Sequence, residues 1–513
     1  MEKVLIANRG EIACRVIRAC RAMGVRTVAV FSEADRDAVH VRMADEAYLV
    51  GPPPSAQSYL RGDRILEVAR QAGADAIHPG YGFLSENAAF RRACEEAGVT
   101  FIGPPARAME LMGEKTLARR TMQAAGVPVV PGTTEPLEDP DELRRVAAEV
   151  GYPVMLKAAA GGGGKGMRVV DDEAHLVAGF EAARREALSS FGDGSVYVEK
   201  AIVGPRHIEV QIMADAHGGV VYVGNRECSV QRRHQKVIEE APAPNLSPAT
   251  MRAMGEMAVE AARAVGYVGA GTVECLVDAH ENFYFLEMNT RLQVEHCVTE
   301  EAFGVDLVRA QLLIAAGEPL PWTQDELDAR LGRAHAIELR VYAEDPYENF
   351  LPSPGTLTAY EPPRGPGVRV DDGVTAGSEI SSLYDPMIAK LIVSGATREE
   401  ALARAHAALR EYRLEGIRTN LAFLDWVLAS EPFAAGRYTT ALLGELGRPT
   451  RPAADAHERD LARVLAALYE DERTATAGQV GAGASAGSNG CDGDERSAWA
   501  LAGLAMQHGR RLA

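Results

Sequence analysis

The 513-residue sequence has no Cys-x-x-Cys pair and no cysteines at metal-ligand spacing. Its seven cysteines, Cys14, Cys20, Cys94, Cys228, Cys275, Cys297 and Cys491, are scattered and odd in number. That argues against a disulfide framework and points to unpaired thiols in a reducing cytoplasm. There is no excess of positive charge. The formal net charge of −18 excludes broad nucleic-acid binding but leaves room for a local basic pocket for an anion. No apolar run is long enough to span a membrane. The opening MEKVLIANRG runs straight from a few apolar residues into a polar turn, unlike a secretory signal. Tandem repeats are also missing. What remains, 47% hydrophobic and 25% charged residues, describes a soluble globular chain whose length suits two to four domains.

The pattern along the chain is α/β. A strand (KVLIA), a loop (NRGE), a helix with Ala13, Val16, Ile17 and Cys20 on one face, and a strand (RTVAVF) open a parallel unit. A second strand–helix pattern lies in ADAIHPGYGFLSENAAF, and a boundary is expected near residue 115. Helices and strands then alternate to about 316. A mixed α/β region follows from about 333 to 445, with a helix starting at Thr397, where Thr397 and Glu400 fit a capping box. Beyond 450 the spacing predicts an amphipathic helix over 456–473, with Leu461, Val464, Leu465 and Leu468 on one face. A Gly/Ala/Ser-rich linker follows over 474–497.

PVMLKAAAGGGGKGMRVV formally contains G-x-G-x-x-G at Gly161, Gly163 and Gly166, but a strand follows it where a dinucleotide fold needs a helix. It is not a P-loop either, because Gly166 follows Lys165 where Ser or Thr is required. The better description is a hairpin whose glycine loop folds over phosphates and donates backbone N–H groups, with Lys157 as a point charge. The alternative is a plain surface hairpin.

In VECLVDAHENFYFLEMNTRLQVEH, residues 273–296, side chains alternate from Leu286 onward. Glu287, Asn289, Arg291, Gln293 and Glu295 share one parity, as on one face of a strand. If the hairpin turn is the four residues Ala279–Asn282, Glu274 stands opposite Glu287. Opposed like charges, with Cβ atoms about 4.5–5.5 Å apart, repel. A five-residue turn would put Glu274 on the other face. The repulsion can be relieved by a proton on one carboxylate or by a divalent cation shared with Asn289, and beside phosphates the cation is favoured, as Mg²⁺ or Mn²⁺. A continuous strand places Arg291 and Glu295 roughly 13 Å apart. Arg291 then suits a small planar anion, and Glu295 a general base or a structural ion pair. The stretch ECSVQRRHQKVIEEAPAP, with Gln231, Arg232, Arg233, His234 and Lys236, reads equally as a solvated face or a polyanion pocket.

Taken together, NRGEIACRVIRA, ADRDAVHVRMADEA, HPGYGFLSENAAF, GGGGKGMRVV, QRRHQKVIEEAPAP, EMNTRLQVEH and LPSPGT resemble biotin carboxylase, the ATP-grasp component of acetyl-CoA and related acyl-CoA carboxylases. The resemblance runs from about residue 2 to 445. It implies a Rossmann-like N-terminal domain over 1–114, an ATP-grasp domain over 115–330 with a lid at about 131–203, and a mixed α/β C-terminal domain over 331–445. A tail of helix and linker occupies 446–513.

By that resemblance Lys115 and Lys157 contact phosphates, with Gly163, Gly164, Lys165 and Gly166 in the lid. Glu199 contacts adenine beside the backbone of Lys200 and Ile202, and Met167 and Leu276 pack on the purine. His207, Gln231 and His234 touch ribose and phosphates. Glu274, Glu287 and Asn289 hold metal. Lys236, Arg291, Gln293 and Val294 hold bicarbonate, which Glu295 deprotonates. Arg340 stabilises the biotin enolate, with Tyr81 near the ring. Two departures from the family pattern stand out: Cys297 in place of the usual proline, and Ala159–Ala160 ahead of the glycines, which shortens the loop.

The implied reaction uses ATP with two Mg²⁺ (or Mn²⁺) and bicarbonate, through carboxyphosphate, to carboxylate biotin. Known carriers attach biotin to a lysine after methionine. No Met here precedes Lys, and Met506 is followed by Gln507. Biotin is therefore expected on a separate biotin carboxyl carrier protein, with a carboxyltransferase subunit consuming the product and a homodimer as the assembly. SAWALAGL faintly resembles a segment between carboxylase and carrier in longer acyl-CoA carboxylases, which suggests that the tail docks a partner. The rival readings are an ATP-grasp ligase for another carboxylate and an inactive nucleotide-binding scaffold.

Overall fold

The computed structural model describes residues 1–133, 135–137, 139–159, 166–451 and 463–464. Gly163, Gly164, Lys165, Ala160 and, apart from residues 463–464, the helix and linker expected in the tail lie outside them.

The N-terminal region is a parallel sheet in the spatial order Glu46–Gly51, Arg26–Ser32, Lys3–Ile6, Ala76–His78, Thr100–Phe101. Strand order reverses between Lys3–Ile6 and Ala76–His78. Open α/β sheets take ligands in the crevice beyond the carboxyl ends of such a pair. The chain leaving the first strand (Asn8 to Ile12) and that leaving the second (Tyr81 to Phe83) both line the main cavity.

The central sheet has eight strands. Phe283–Asn289, Gly269–Val277, Arg206–Ala214 and Val220–Arg232 form one half. Gln235–Ala241, His335–Tyr342, Met387–Gly395 and Val368–Asp372 continue it in order, and every pairing is antiparallel. A smaller sheet, Met167–Val170, Val154–Ala158, Val196–Lys200, packs on the helices Pro140–Val150 and Glu173–Phe191 around a separate core that includes Leu143, Leu156, Leu176 and Phe180. Its hairpin closes through Gly166, at φ +69°; a Cβ there would lie 2.7 Å from that of Ala158.

One core joins the parallel sheet to the central one. Ile12, Val16 and Ile17 of the helix Gly10–Ala22 share it with Leu292, Val298, Ala336 and Ile392. Gly373 lets the backbones meet: a Cβ there would fall 2.5 Å from the carbonyl carbon of Gly10. This contact fixes the start of the helix against the C-terminal region. The helix at Thr397 begins as expected, with Thr397 Oγ1 accepting the Glu400 N–H. The second half of the capping box differs: Glu400 takes the N–H of Ala396.

Candidate active site

The hairpin of residues 269–289 carries the first group of side chains. Next to the turn Val277 pairs with Phe283, the register of a five-residue turn, not the four-residue turn expected. A β-bulge at Leu286 then inserts one residue into the second strand and moves the register by one. Glu274 stands opposite Glu287 because of the bulge, not the turn length. Across the other edge Glu274 faces Glu209, which faces Arg226. Glu287, Glu274, Glu209 and Arg226 thus form one row over four strands. Glu209 and Arg226 were missed from sequence, although HIEVQ shows the same alternation, with His207, Glu209 and Gln211 on one parity.

The expectation of a strand running to Glu295 is wrong. The strand ends at Asn289. Glu86 pulls the chain aside: its carboxylate accepts the Thr290 N–H and Arg291 Nε, each at 2.9 Å. Arg291 then folds back, donating to Asn289 Oδ1 at 2.9 Å and Gln293 Oε1 at 2.7 Å, while Gln293 donates to Glu274 Oε1 at 2.8 Å. Glu295 stands at the residue preceding the helix His296–Phe303, with no side-chain bond to that helix's backbone. The roughly 13 Å spacing inferred for an extended strand therefore does not apply. The alternation persists because Leu292 belongs to the core while the polar residues turn to the cavity.

Lys236 is the hub. Its Nζ lies 2.6 Å from Glu209, 2.9 Å from Glu274 and 2.6 Å from Glu295. The other oxygen of Glu295 accepts from Arg340 Nη2 at 2.9 Å, and Arg340 Nε donates to Glu239 at 2.6 Å. Burial opposes ionisation of Glu295, but Lys236, Arg340 and Arg226 hold its carboxyl well below the ordinary value. Burial likewise opposes the charge on Lys236, and its three carboxylates keep it protonated. His207 Nε2 is 3.0 Å from Glu274 Oε2, without hydrogen-bond alignment. Burial acts against its imidazolium, yet Glu274 raises its pKa. Gln231 Nε2 contacts His207 Nδ1 at 2.8 Å.

On the nucleotide side expected from sequence, Lys157 Nζ and Arg119 Nη1 lie 2.5 and 2.6 Å from Glu199. Glu199 is thus engaged by two cations, and Arg119 had not been singled out. Arg233 and His234 form the tip of a hairpin at φ +51° and +67°, uncommon for residues other than glycine. Tyr81 donates its hydroxyl to Glu11.

These groups enclose a cavity of about 990 Å³. Lys115, Lys157, Met167, Glu199, His207, Gln231, His234 and Tyr81 line it, as do Lys236, Glu274, Glu287, Asn289, Arg291, Gln293, Val294, Glu295 and Arg340. Lys200, Ile202, Leu276 and Gly166 are not in its lining; the Lys200 ammonium is tied to the carbonyls of Gly151 and Tyr152.

The donor set fits a divalent cation. Glu287 makes no hydrogen bond or ion pair among the described residues, and burial followed by repulsion from Glu274 raises its pKa. Among the described residues Asn289 Nδ2 is buried without a partner. Facing carboxylates and an adjacent amide oxygen are hard ligands of the kind Mg²⁺ or Mn²⁺ takes.

Comparison with known proteins places this geometry among relatives. Residues 1–109 match the family "Biotin carboxylase, N-terminal domain", 114–323 "Carbamoyl-phosphate synthase L chain, ATP binding domain", and 338–445 "Biotin carboxylase C-terminal domain". The chain is 56% identical over 442 residues to a biotin carboxylase of Halalkalibacterium halodurans, covering 86% of this chain and 97% of the relative. It is 50% identical over 493 residues to a propionyl-CoA carboxylase alpha chain of Ruegeria pomeroyi, covering 92% and 72%. Among solved structures it resembles the biotin carboxylase domain dimer of Hydrogenobacter thermophilus 2-oxoglutarate carboxylase, in complex with MgADP, ADP and bicarbonate. That likeness has a TM-score of 0.81 at 48% identity and covers 86% of this chain and 97% of that one.

Proposed function

The chain belongs to the biotin carboxylase family of ATP-dependent carboxylase ligases, and from that premise we propose which of its side chains perform the reaction. The observation that carries the assignment is Glu295, buried with one oxygen on Lys236 and the other on Arg340 at the wall of the cavity.

ATP lies with its phosphates near Lys115 and Lys157 and its ribose near His207, Gln231 and His234. Glu274, Glu287 and Asn289 hold a divalent cation, and when bound it neutralises phosphate charge. Arg291, Lys236, Gln293 and the backbone of Val294 hold bicarbonate. Binding of this anion engages the Lys236 ammonium, the foremost of the cations that hold the Glu295 carboxyl low, and so raises the proton affinity of Glu295 as it is needed. A bicarbonate oxygen attacks the γ-phosphorus, breaking its bond to the β–γ bridging oxygen and releasing ADP, and Glu295 accepts the bicarbonate proton. Carboxyphosphate breaks down to CO₂ and phosphate, and phosphate takes the N1 proton of biotin. Arg340 stabilises the enolate charge on the ureido oxygen, and N1 attacks CO₂. Tyr81 borders the ring.

Biotin arrives on a separate carrier protein, and a carboxyltransferase subunit uses the carboxybiotin. We assign the second half-reaction to acyl-CoA carboxylation: acetyl-CoA, feeding malonyl-CoA and fatty acid synthesis, or a related acyl-CoA. The longer match to a propionyl-CoA carboxylase chain supports the acyl-CoA class. A cytoplasmic homodimer is the assembly proposed. The test is ATP cleavage with free biotin as acceptor. Cleavage should require bicarbonate and rise with biotin; cleavage indifferent to both would assign the site to another ATP-grasp ligase.

A further inference from the structure

Behind the cavity, outside the roles assigned above, sits Lys390 of the strand Met387–Gly395, fully buried. An ammonium has three hydrogens to donate; this one makes two hydrogen bonds and one longer ion pair. Its Nζ lies 2.8 Å from the carbonyl oxygen of Val294, 3.2 Å from Cys297 Sγ and 3.4 Å from Glu11 Oε1. Val294 immediately precedes Glu295, and Cys297 is two residues beyond it. The lysine therefore grips the chain on both sides of the proposed base. Its third partner belongs to the helix Gly10–Ala22, and Glu11 also accepts the Tyr81 hydroxyl. The Tyr81 ring is 5.9 Å from Nζ.

We propose that Lys390 is a positioning residue that sets Glu295 in register with the biotin-facing wall, by binding the Val294 carbonyl and Glu11 with one buried ammonium. This rests on the reading of Glu295 as the base. The physical need is plain. Glu295 sits where an irregular segment becomes a helix, at φ −80° and ψ 12°. Among the described residues no strand ladder fixes it on the Val294 side. A base must be held to within a fraction of an ångström to act on a bound acid. The Val294 carbonyl oxygen accepts from the buried Lys390. Burial opposes the charge on Lys390, but the Cys297 sulfur and the nearby Glu11 and Asp371 raise its pKa, so the ammonium stays charged. The thiol is the secondary partner: a proline, which the family resemblance favours at 297, offers no side-chain acceptor, so the Val294 bond is the one that positions.

The test is steady-state kinetics of bicarbonate-dependent ATP cleavage on the full chain. Lys390→Met keeps the bulk and removes the donors. Its kcat should fall by about 30-fold or more while KM for ATP stays within about twofold, the split expected when only the reacting geometry is disturbed. Cys297→Ala should stay within about threefold of wild type. A Lys390→Met enzyme with near wild-type kcat, a loss that only tracks the folded fraction in thermal melts, or an equal loss in Cys297→Ala would overturn the proposal. Should Lys390→Met not fold, the double variant Lys390→Met/Glu11→Gln removes the matching carboxylate charge and is read instead. A preserved kcat there overturns the proposal, and a kcat loss with unchanged KM supports it. Failure of the wild-type chain to need bicarbonate would instead sink the reading of Glu295 and the function.

Discussion

The two faces of the central sheet, compared over the strands Gln235–Ala241, His335–Tyr342 and Met387–Gly395, are built on opposite principles. One presents Ile238, Ile337, Leu339, Val341, Ala389, Leu391 and Val393, and it packs on the helices Arg398–Glu411 and Leu421–Leu428. The other presents Glu239, Glu338, Arg340 and Lys390 and packs on the helix His296–Phe303. All eleven residues are buried. Burial alone thus does not separate core from site; what separates them is whether the buried groups need partners. The apolar face gains stability from every ångström removed from water. The ionic face spends desolvation energy and recovers it through ion pairs, which at best roughly balances. Its reason to exist is chemistry.

The sharpest way to break this contrast is Glu295→Gln. Against the ionic face's proposed role it should lower kcat by about 10²- to 10⁴-fold, with ATP binding by calorimetry retained. An unaffected rate would make the face structural after all. The mirror experiment is Leu391→Ala on the apolar face. Leu391 is fully buried, and truncation should cost about 2–5 kcal/mol of stability in denaturant melts. At a temperature where the variant is folded, kcat should remain within about twofold.

A finer comparison uses pH. Glu338 stands opposite Glu239, and among the described residues neither of its oxygens has a hydrogen-bond partner. Burial pushes its pKa well above the ordinary 4.5; Lys390 opposes this and Glu239 adds to it. The folded state therefore holds this proton more tightly than the unfolded chain does, and stability falls as pH rises above about 4.5. Glu338→Gln removes that dependence. Relative to wild type, the variant should gain about 1 kcal/mol or more between about pH 5 and about pH 8; parallel melting curves at both would show Glu338 ionised. The smallest effect belongs to Thr397, whose hydroxyl caps the helix behind the apolar face. Thr397→Ala should cost about 1 kcal/mol and leave kcat unchanged.

The contrast also explains what was legible in the sequence. Apolar periodicity announces a helix such as Gly10–Ala22, and the parity of Glu287 and Asn289 announces a polar strand face, because both patterns are local. The strand was nevertheless carried too far, to Glu295, since nothing near Arg291 in sequence signals that Glu86, some two hundred residues earlier, turns the backbone there. The partners of Lys236 were unreadable for the same reason: Glu209 reaches it through strand neighbours that no single segment encodes. Lys200, Ile202 and Leu276 were assigned by family likeness, and the cavity wall does not include them.

The bulge at Leu286 has a consequence for how this hairpin tolerates change. Because it absorbs the one-residue mismatch between turn and ladder, the loop at 278–282 and the facing glutamates are mechanically independent. The bulge serves as an expansion joint, so that wear at the solvent-side tip need never be transmitted to the ligands at the far end.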